Sequence, residues 1–267
     1  MVCPGQLSVQ IEGVMKGTKE WFATWFDTDE YHTLYGDRDT KEAEDFVNKL
    51  IEYFELKPPC KILDAGCGAG RHVHSWAQQG FEAVGFDLSS NSIEKARKRA
   101  EELNLLNAQF EVHDLRKFYE LEKWQERFQI VTNLFTSFGY FPEEADHIDV
   151  VRGFSQSLEL GGVLILDYIN TPYSAKRLVP SEVQTVESIN FNIKREVKDG
   201  FFTKSISFSH SGQPAQTHTE LVKAWSTEDL IELLSSVGLH VKLVFGDYKL
   251  NIYHEDSPRM ILIAEKK

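Results

Sequence analysis

Asp64-Ala-Gly-Cys-Gly-Ala-Gly70 sets three glycines at alternate positions behind an acid. Glycine lets a chain turn sharply and bring its backbone against a ligand with no Cβ in the way. The run follows a short apolar segment and opens a helical one. Unpaired N–H groups and the positive end of a helix dipole would therefore face whatever binds there. Dinucleotide sites want G-x-G-x-x-G, and Arg71 stands in the slot of their third glycine. An acid two residues ahead of the first glycine offers a pyrophosphate nothing. It does suit the ammonium of an amino-acid group. Gly66, Cys67 and Gly68 thus predict a zwitterionic nucleoside without phosphate rather than a dinucleotide.

Two more acids end strand-like runs. In Val84-Gly-Phe-Asp-Leu-Ser89, Asp87 can accept from both ribose hydroxyls, a device that nicotinamide sites share. A helix cap is the alternative for Asp87. Asp114 can accept from an adenine amino group while Leu115 packs on the ring, although acids after strands also serve turns. Asn133-Leu-Phe-Thr-Ser-Phe-Gly-Tyr-Phe141 is apolar for a strand-end loop. Phe138 and Phe141 read as core, and Tyr140 fits pocket and core equally. Asn133-Leu-Phe-Thr136 lacks the Asn-Pro-Pro-Tyr pattern of adenine-N6-methylating enzymes, which argues against a nucleic-acid base as substrate.

The elements that must position these residues alternate. Trp21, Phe22, Trp25 and Phe26 share one helix face. Ala43, Phe46, Val47, Leu50, Ile51 and Phe54 predict an amphipathic helix ended by Pro58-Pro59. Strands follow at 61–64, 81–87, 109–112, 128–132 and 163–166, with helices between them. The pattern then changes to alternating runs at 191–197, 202–208 and 217–225, the first two joined by Asp199-Gly200, a hairpin signal. Ser226 with Asp229 predicts a capped helix, and strands at 240–245 and 260–264 close the chain. Alternating βα units imply a doubly wound, mostly parallel α/β sheet, here of seven strands, with an antiparallel β insert after the fifth. The expected division is an N-terminal helical lid with the first sheet-packing helix (1–57), a Rossmann-like core (58–174 and 226–267) and an insert (175–225) that roofs the site or makes a homo-oligomer contact.

A net charge of −12 on 267 residues repels phosphate backbones and sets nucleic acid aside as a partner. Three cysteines without a C-x-x-C pair predict neither a disulfide framework nor a metal site. The first residues carry no signal-peptide pattern and no apolar run is long enough to span a bilayer, so a cytoplasmic protein without a membrane partner is expected.

ILDAGCGAG at 62–70, GFDLS at 85–89 and HDL at 113–115, in this order, resemble the class I S-adenosylmethionine-dependent methyltransferases. The resemblance covers roughly 60–170 and 226–267. Within that superfamily the chain is similar to the branch of glycine N-methyltransferase and the amino-sugar N,N-dimethyltransferases. It shares Leu34-Tyr35 with Arg38, Ser137-Phe138-Gly139-Tyr140, the insert, and Phe245-Gly-Asp-Tyr248. The resemblance implies S-adenosylmethionine as cofactor. Tyr35 and Arg38 would hold its carboxylate, Gly66 and Leu134 its methionine part, Asp87 the ribose, and Asp114 and Leu115 the adenine, with Asp64, Cys67, Gly68, Leu88 and Asn133 as further cofactor-binding residues. Thr136, Tyr140 and Asn170 would face the acceptor, with Tyr140, His147 or Asp167 to assist in deprotonating it. Glycine N-methyltransferases place an arginine after the fifth strand, where this chain has Ile169, so free glycine is not the expected acceptor. A small-molecule amine is expected. A protein or RNA methyltransferase, a non-catalytic binding module and a nicotinamide oxidoreductase remain as alternatives.

Overall fold

The central strands of the main sheet are apolar because both of their faces are covered, the usual state of a parallel sheet. In the computed structural model, which describes residues 20–36, 40–210 and 213–267, Leu63 and Ala65 enter one hydrophobic core and Ile62, just before them, enters the other. The sheet is built from β1 (Lys61–Ala65), β2 (Glu82–Asp87), β3 (Ala108–Val112), β4 (Phe128–Asn133), β5 (Leu158–Ile169) and, late in the chain, β10 (Leu239–Phe245) and β11 (Arg259–Lys266). Its order is β10-β11-β5-β4-β1-β2-β3. β11 runs antiparallel to both neighbours and the other pairs are parallel. This is the predicted seven-stranded, doubly wound sheet. The strand order reverses between β1 and β4, and ligands of such sheets bind at that switch, outside the carboxyl ends.

Helices α1 (Trp21–Trp25), α2 (Asp29–Tyr35) and α3 (Thr40–Tyr53) precede the sheet. α4 (Arg71–Gln78), α5 (Ser90–Glu102) and α6 (Glu144–Ser157) connect its first strands. Ser89 caps α5, its hydroxyl accepting from Ser92 N. After α7 (Thr171–Lys176) comes a separate antiparallel sheet of β6 (Ser181–Val186), β7 (Ile189–Lys198), β8 (Phe201–Phe208) and β9 (Gln216–Lys223), then α8 (Thr227–Ser235) with the predicted capping box.

Two expectations are revised. The insert has four strands, not three. β6 lies almost wholly exposed at an edge, and its two valines are three residues apart, so it carries no period-two signal. β5 begins at Leu158, which the helical pattern assigned to the preceding helix, and runs through Gly161-Gly162. Asp199 and Gly200 both adopt positive φ, as a two-residue hairpin requires.

Candidate active site

A cavity of about 550 Å³ opens where β1, β2, β3 and β4 end. Its strand-end wall carries Asp64, Gly66, Cys67, Gly68, Asp87, Leu88, Asp114, Leu115 and Leu134, nine residues singled out from the sequence and here gathered on one surface. Tyr35 and Tyr140 line it as well. Arg38 lies outside the described residues.

The glycine loop owes its shape to its glycines. Gly66, Gly68 and Gly70 all have positive φ. A Cβ on Gly66 would come within 2.8 Å of the Ser137 Cβ. Asp87 fixes the loop from the next strand: its Oδ2 accepts from Gly68 N at 2.8 Å and its Oδ1 from Ser89 N at 2.9 Å.

Asp64 is buried with unequal oxygens. Oδ1 accepts from the Thr132 hydroxyl at 2.7 Å, while Oδ2 has no hydrogen-bond partner among the described residues. A buried, unpaired carboxylate oxygen is costly. Burial pushes its carboxyl up to about 7, a nearby Asp87 adding to the effect and the Thr132 hydrogen bond and Arg71 opposing it. A cationic group beside Oδ2 would remove that cost. The orphaned oxygen, together with a loop that only glycine permits at position 66, fits the amino-acid end of S-adenosylmethionine.

Asp114 is more heavily engaged than its sequence suggests. Burial raises its carboxyl, but hydrogen bonds from the side chain and backbone of Arg116 outweigh this and hold it below the usual range. Arg116 also reaches Glu20 beside α1 at 3.0 Å. Tyr35 donates its hydroxyl to Glu220 at 2.7 Å and accepts from Lys204, both residues of the insert. Its proton is thus spent on Glu220 in this arrangement.

Beyond the cofactor wall the cavity is aromatic. Phe22, Phe26, Tyr31, Phe135 and Phe141 line it beside Tyr35 and Tyr140. Phe26 lies 4.9 Å from Tyr31 and 5.3 Å from Tyr140, ring centre to ring centre.

Several sequence-based expectations fall elsewhere. Asn170 is fully buried and structural: its Nδ2 donates to Ser257 O at 2.7 Å and Glu255 O at 3.0 Å, which leaves it nothing for an acceptor. Thr136 does not line the cavity, its hydroxyl accepting from Arg259 at 2.7 Å. Asn133 is buried behind the wall, where its Nδ2 donates to Ala65 O at 2.7 Å. His147 is enclosed by Phe138, Phe141 and Trp225, and burial pushes it down to about 4. Asp167 is fully buried against Arg259 and Tyr248. Neither His147 nor Asp167 reaches the cavity, so neither can take a proton from an acceptor there. Arg259, Lys204 and Glu220 escaped notice. Each is a charge flanked by uncharged residues, which reads as a solvated position until the fold supplies its partner.

Among the described residues no group of His, Cys, Asp and Glu could hold a metal ion, and no helix is long and apolar enough to cross a membrane.

Comparison with known proteins agrees with this geometry. Residues 56–224 match the model of a methyltransferase domain family. The glycine/sarcosine N-methyltransferase of Aphanothece halophytica is 28% identical over 235 residues, spanning 86% of this chain and 83% of that protein. The dTDP-3-amino-3,4,6-trideoxy-alpha-D-glucopyranose N,N-dimethyltransferase of Streptomyces venezuelae is 29% identical over 106 residues, which are 40% of this chain and 41% of that protein. An S-adenosylmethionine-dependent methyltransferase from Clostridium acetobutylicum shares the fold, with a TM-score of 0.73 at 19% identity over 88% of this chain and 95% of that one. The chain belongs to this methyltransferase family, in its S-adenosylmethionine-dependent class I form.

Proposed function

We propose that the enzyme methylates an amine on a small molecule. The observation that carries this reading is the continuity of the cavity: one space runs from the strand-end acids to a wall of aromatic rings. Its volume lies within the range of small-ligand sites, which are apolar with few polar anchors. A net charge of −12 disfavours a polyanionic substrate. Ile169, where glycine N-methyltransferases have an arginine, gives a free carboxylate no clamp. Two of the similar proteins are named for methylating amines, one on an amino sugar and one on glycine and sarcosine.

The cofactor supplies a methyl group on a sulfonium, already activated toward a nucleophile. What the protein adds is alignment, and orientation of this kind can supply about 7–11 kcal/mol. Asp87 would hold the ribose and Asp64 the amino-acid end of the nucleoside. The rings of Tyr140, Phe26 and Tyr31 bound the space left for the acceptor and exclude water from it. On this reading α1 and α2 roof the acceptor end, and the insert holds them there through Glu220.

A transfer screen with isotopically labelled S-adenosylmethionine tests the proposal. The panel should hold amino sugars, simple amines, phenols, free amino acids and bulk RNA. The label is expected in small amines. Turnover on RNA or free glycine with none on small amines contradicts it.

A further inference from the structure

Phe135 and Thr136 are consecutive, neither is glycine, and both adopt left-handed backbone, at φ +58° and +61°. For a β-branched residue such as threonine this is an outlier. Such strain persists only where the surroundings over-determine it. Here the surroundings are an ion pair built on a buried carboxylate, beside Ser137 Oγ donating to Leu134 O at 2.9 Å and Tyr140 OH donating to Thr136 O. Asp167 Oδ2 accepts from Phe135 N at 2.8 Å and the Asp167 carbonyl accepts from Thr136 N at 3.1 Å. Arg259 Nε donates to Asp167 Oδ1 at 2.8 Å, and its Nη2 donates to Thr136 Oγ1 at 2.7 Å. Tyr248 OH donates to the same carboxylate at 2.9 Å. The carboxylate is fully buried and the arginine side chain is 18% exposed, and neither lines the cavity.

What the turn delivers does line it. Leu134 and Phe135 form part of the wall, and the Phe135 ring carries the Arg71 guanidinium 4.4 Å from its centre. Ser137 presses on the glycine loop, its Oγ 3.2 Å from Gly66 O, and leaves no room for a side chain at position 66. The contacts form one path from Arg259 and Asp167 through the left-handed pair to Ser137 and Gly66.

We propose that Asp167 and Arg259 are positioning residues for the cofactor: they hold the 134–137 turn in its left-handed form against the glycine loop, and cofactor affinity depends on that turn. The inference concerns the S-adenosylmethionine site and is independent of the acceptor.

Arg259→Met removes both arginine hydrogen bonds. S-adenosylmethionine affinity should fall about tenfold or more, as for a misplaced wall, and amide exchange at Phe135 and Thr136 should quicken. Adding Thr136→Gly should recover most of the affinity without recovering the melting temperature. Glycine enters the left-handed region without cost, but it cannot replace a buried ion pair. If Arg259→Met does not fold, the pair Asp167→Asn/Arg259→Met leaves no charge alone and carries the same expectations. A purely structural role predicts otherwise. A folded variant with a lower melting temperature but unchanged calorimetric affinity overturns the proposal, as does Thr136→Gly failing to restore a lost affinity.

Discussion

Asp64 is the residue whose chemistry makes the sharpest claim. Its carboxyl titrates at about 7 in the ligand-free fold against 3.8 ordinarily, because burial penalises the charge. The folded state therefore binds a proton that the unfolded chain has lost between these two values. Stability falls with rising pH wherever the native state binds more protons, so the ligand-free protein should lose stability from about pH 4 toward pH 7. An ammonium beside Oδ2 reverses the preference and favours the carboxylate. Binding then expels the proton, so S-adenosylmethionine affinity should rise across the same window and level off above about 7. Asp64→Asn should abolish this dependence. Calorimetry in buffers of differing ionisation enthalpy would show the released proton, and an affinity that is flat through the window would remove the ammonium from Oδ2. Asp64, Asp87 and the glycines were legible in the sequence because strand, glycine loop and helix follow one another locally. Arg259 was not, because its partner Asp167 stands 92 residues away.

At the scale of elements, the first two helices cover the aromatic side of the cavity and the insert anchors them. Trp25 is fully buried and stacks on His218 of β9 at 4.4 Å. Its Nε1 donates to Glu220 at 2.8 Å, the same carboxylate oxygen that takes the Tyr35 hydroxyl. One insert side chain thus fastens α1 and α2 together. Glu220→Ala would leave the Trp25 indole N–H and the Tyr35 hydroxyl without this partner, which costs about 1–3 kcal/mol for a buried donor. Urea denaturation should show a loss of that size, whereas an unchanged midpoint would mean that the cover is held by ring packing alone. The sequence predicted a helical face from Trp21, Phe22, Trp25 and Phe26, and the described helix α1 does bury Trp21, Phe22 and Trp25. It could not show what this face packs on, because the partners lie far along the chain: Tyr140 and Phe141 after β4 for Trp21 and Phe22, and Phe208 and His218 of β8 and β9 for Trp25. β6 was missed for a related reason: an edge strand with no buried face has no periodicity to read.

For the molecule as a whole, a mostly parallel seven-stranded sheet could be anticipated because βα units permit few arrangements; the order of its strands and the reversal of β11 between β5 and β10 are set by tertiary pairing. The cavity could be placed at the carboxyl ends by the same rule. Its aromatic half could not be drawn in advance. That half is assembled from α1, α2 and the loop after β4, whose mutual placement is set by tertiary packing rather than by local pattern. Thr136, Asn133 and Asn170 show the limit plainly: each is polar and close to a strand end, yet each turns its side chain into the scaffold. One nucleoside should occupy this cavity in one orientation. A crystal structure of the protein with S-adenosylhomocysteine tests it most directly. The ribose hydroxyls should lie on Asp87, the amino group should lie beside Asp64 Oδ2, and the sulfur should face the space bounded by Tyr140 and Phe26. A nucleoside bound away from Asp87, or with its amino group turned from Asp64, would contradict it.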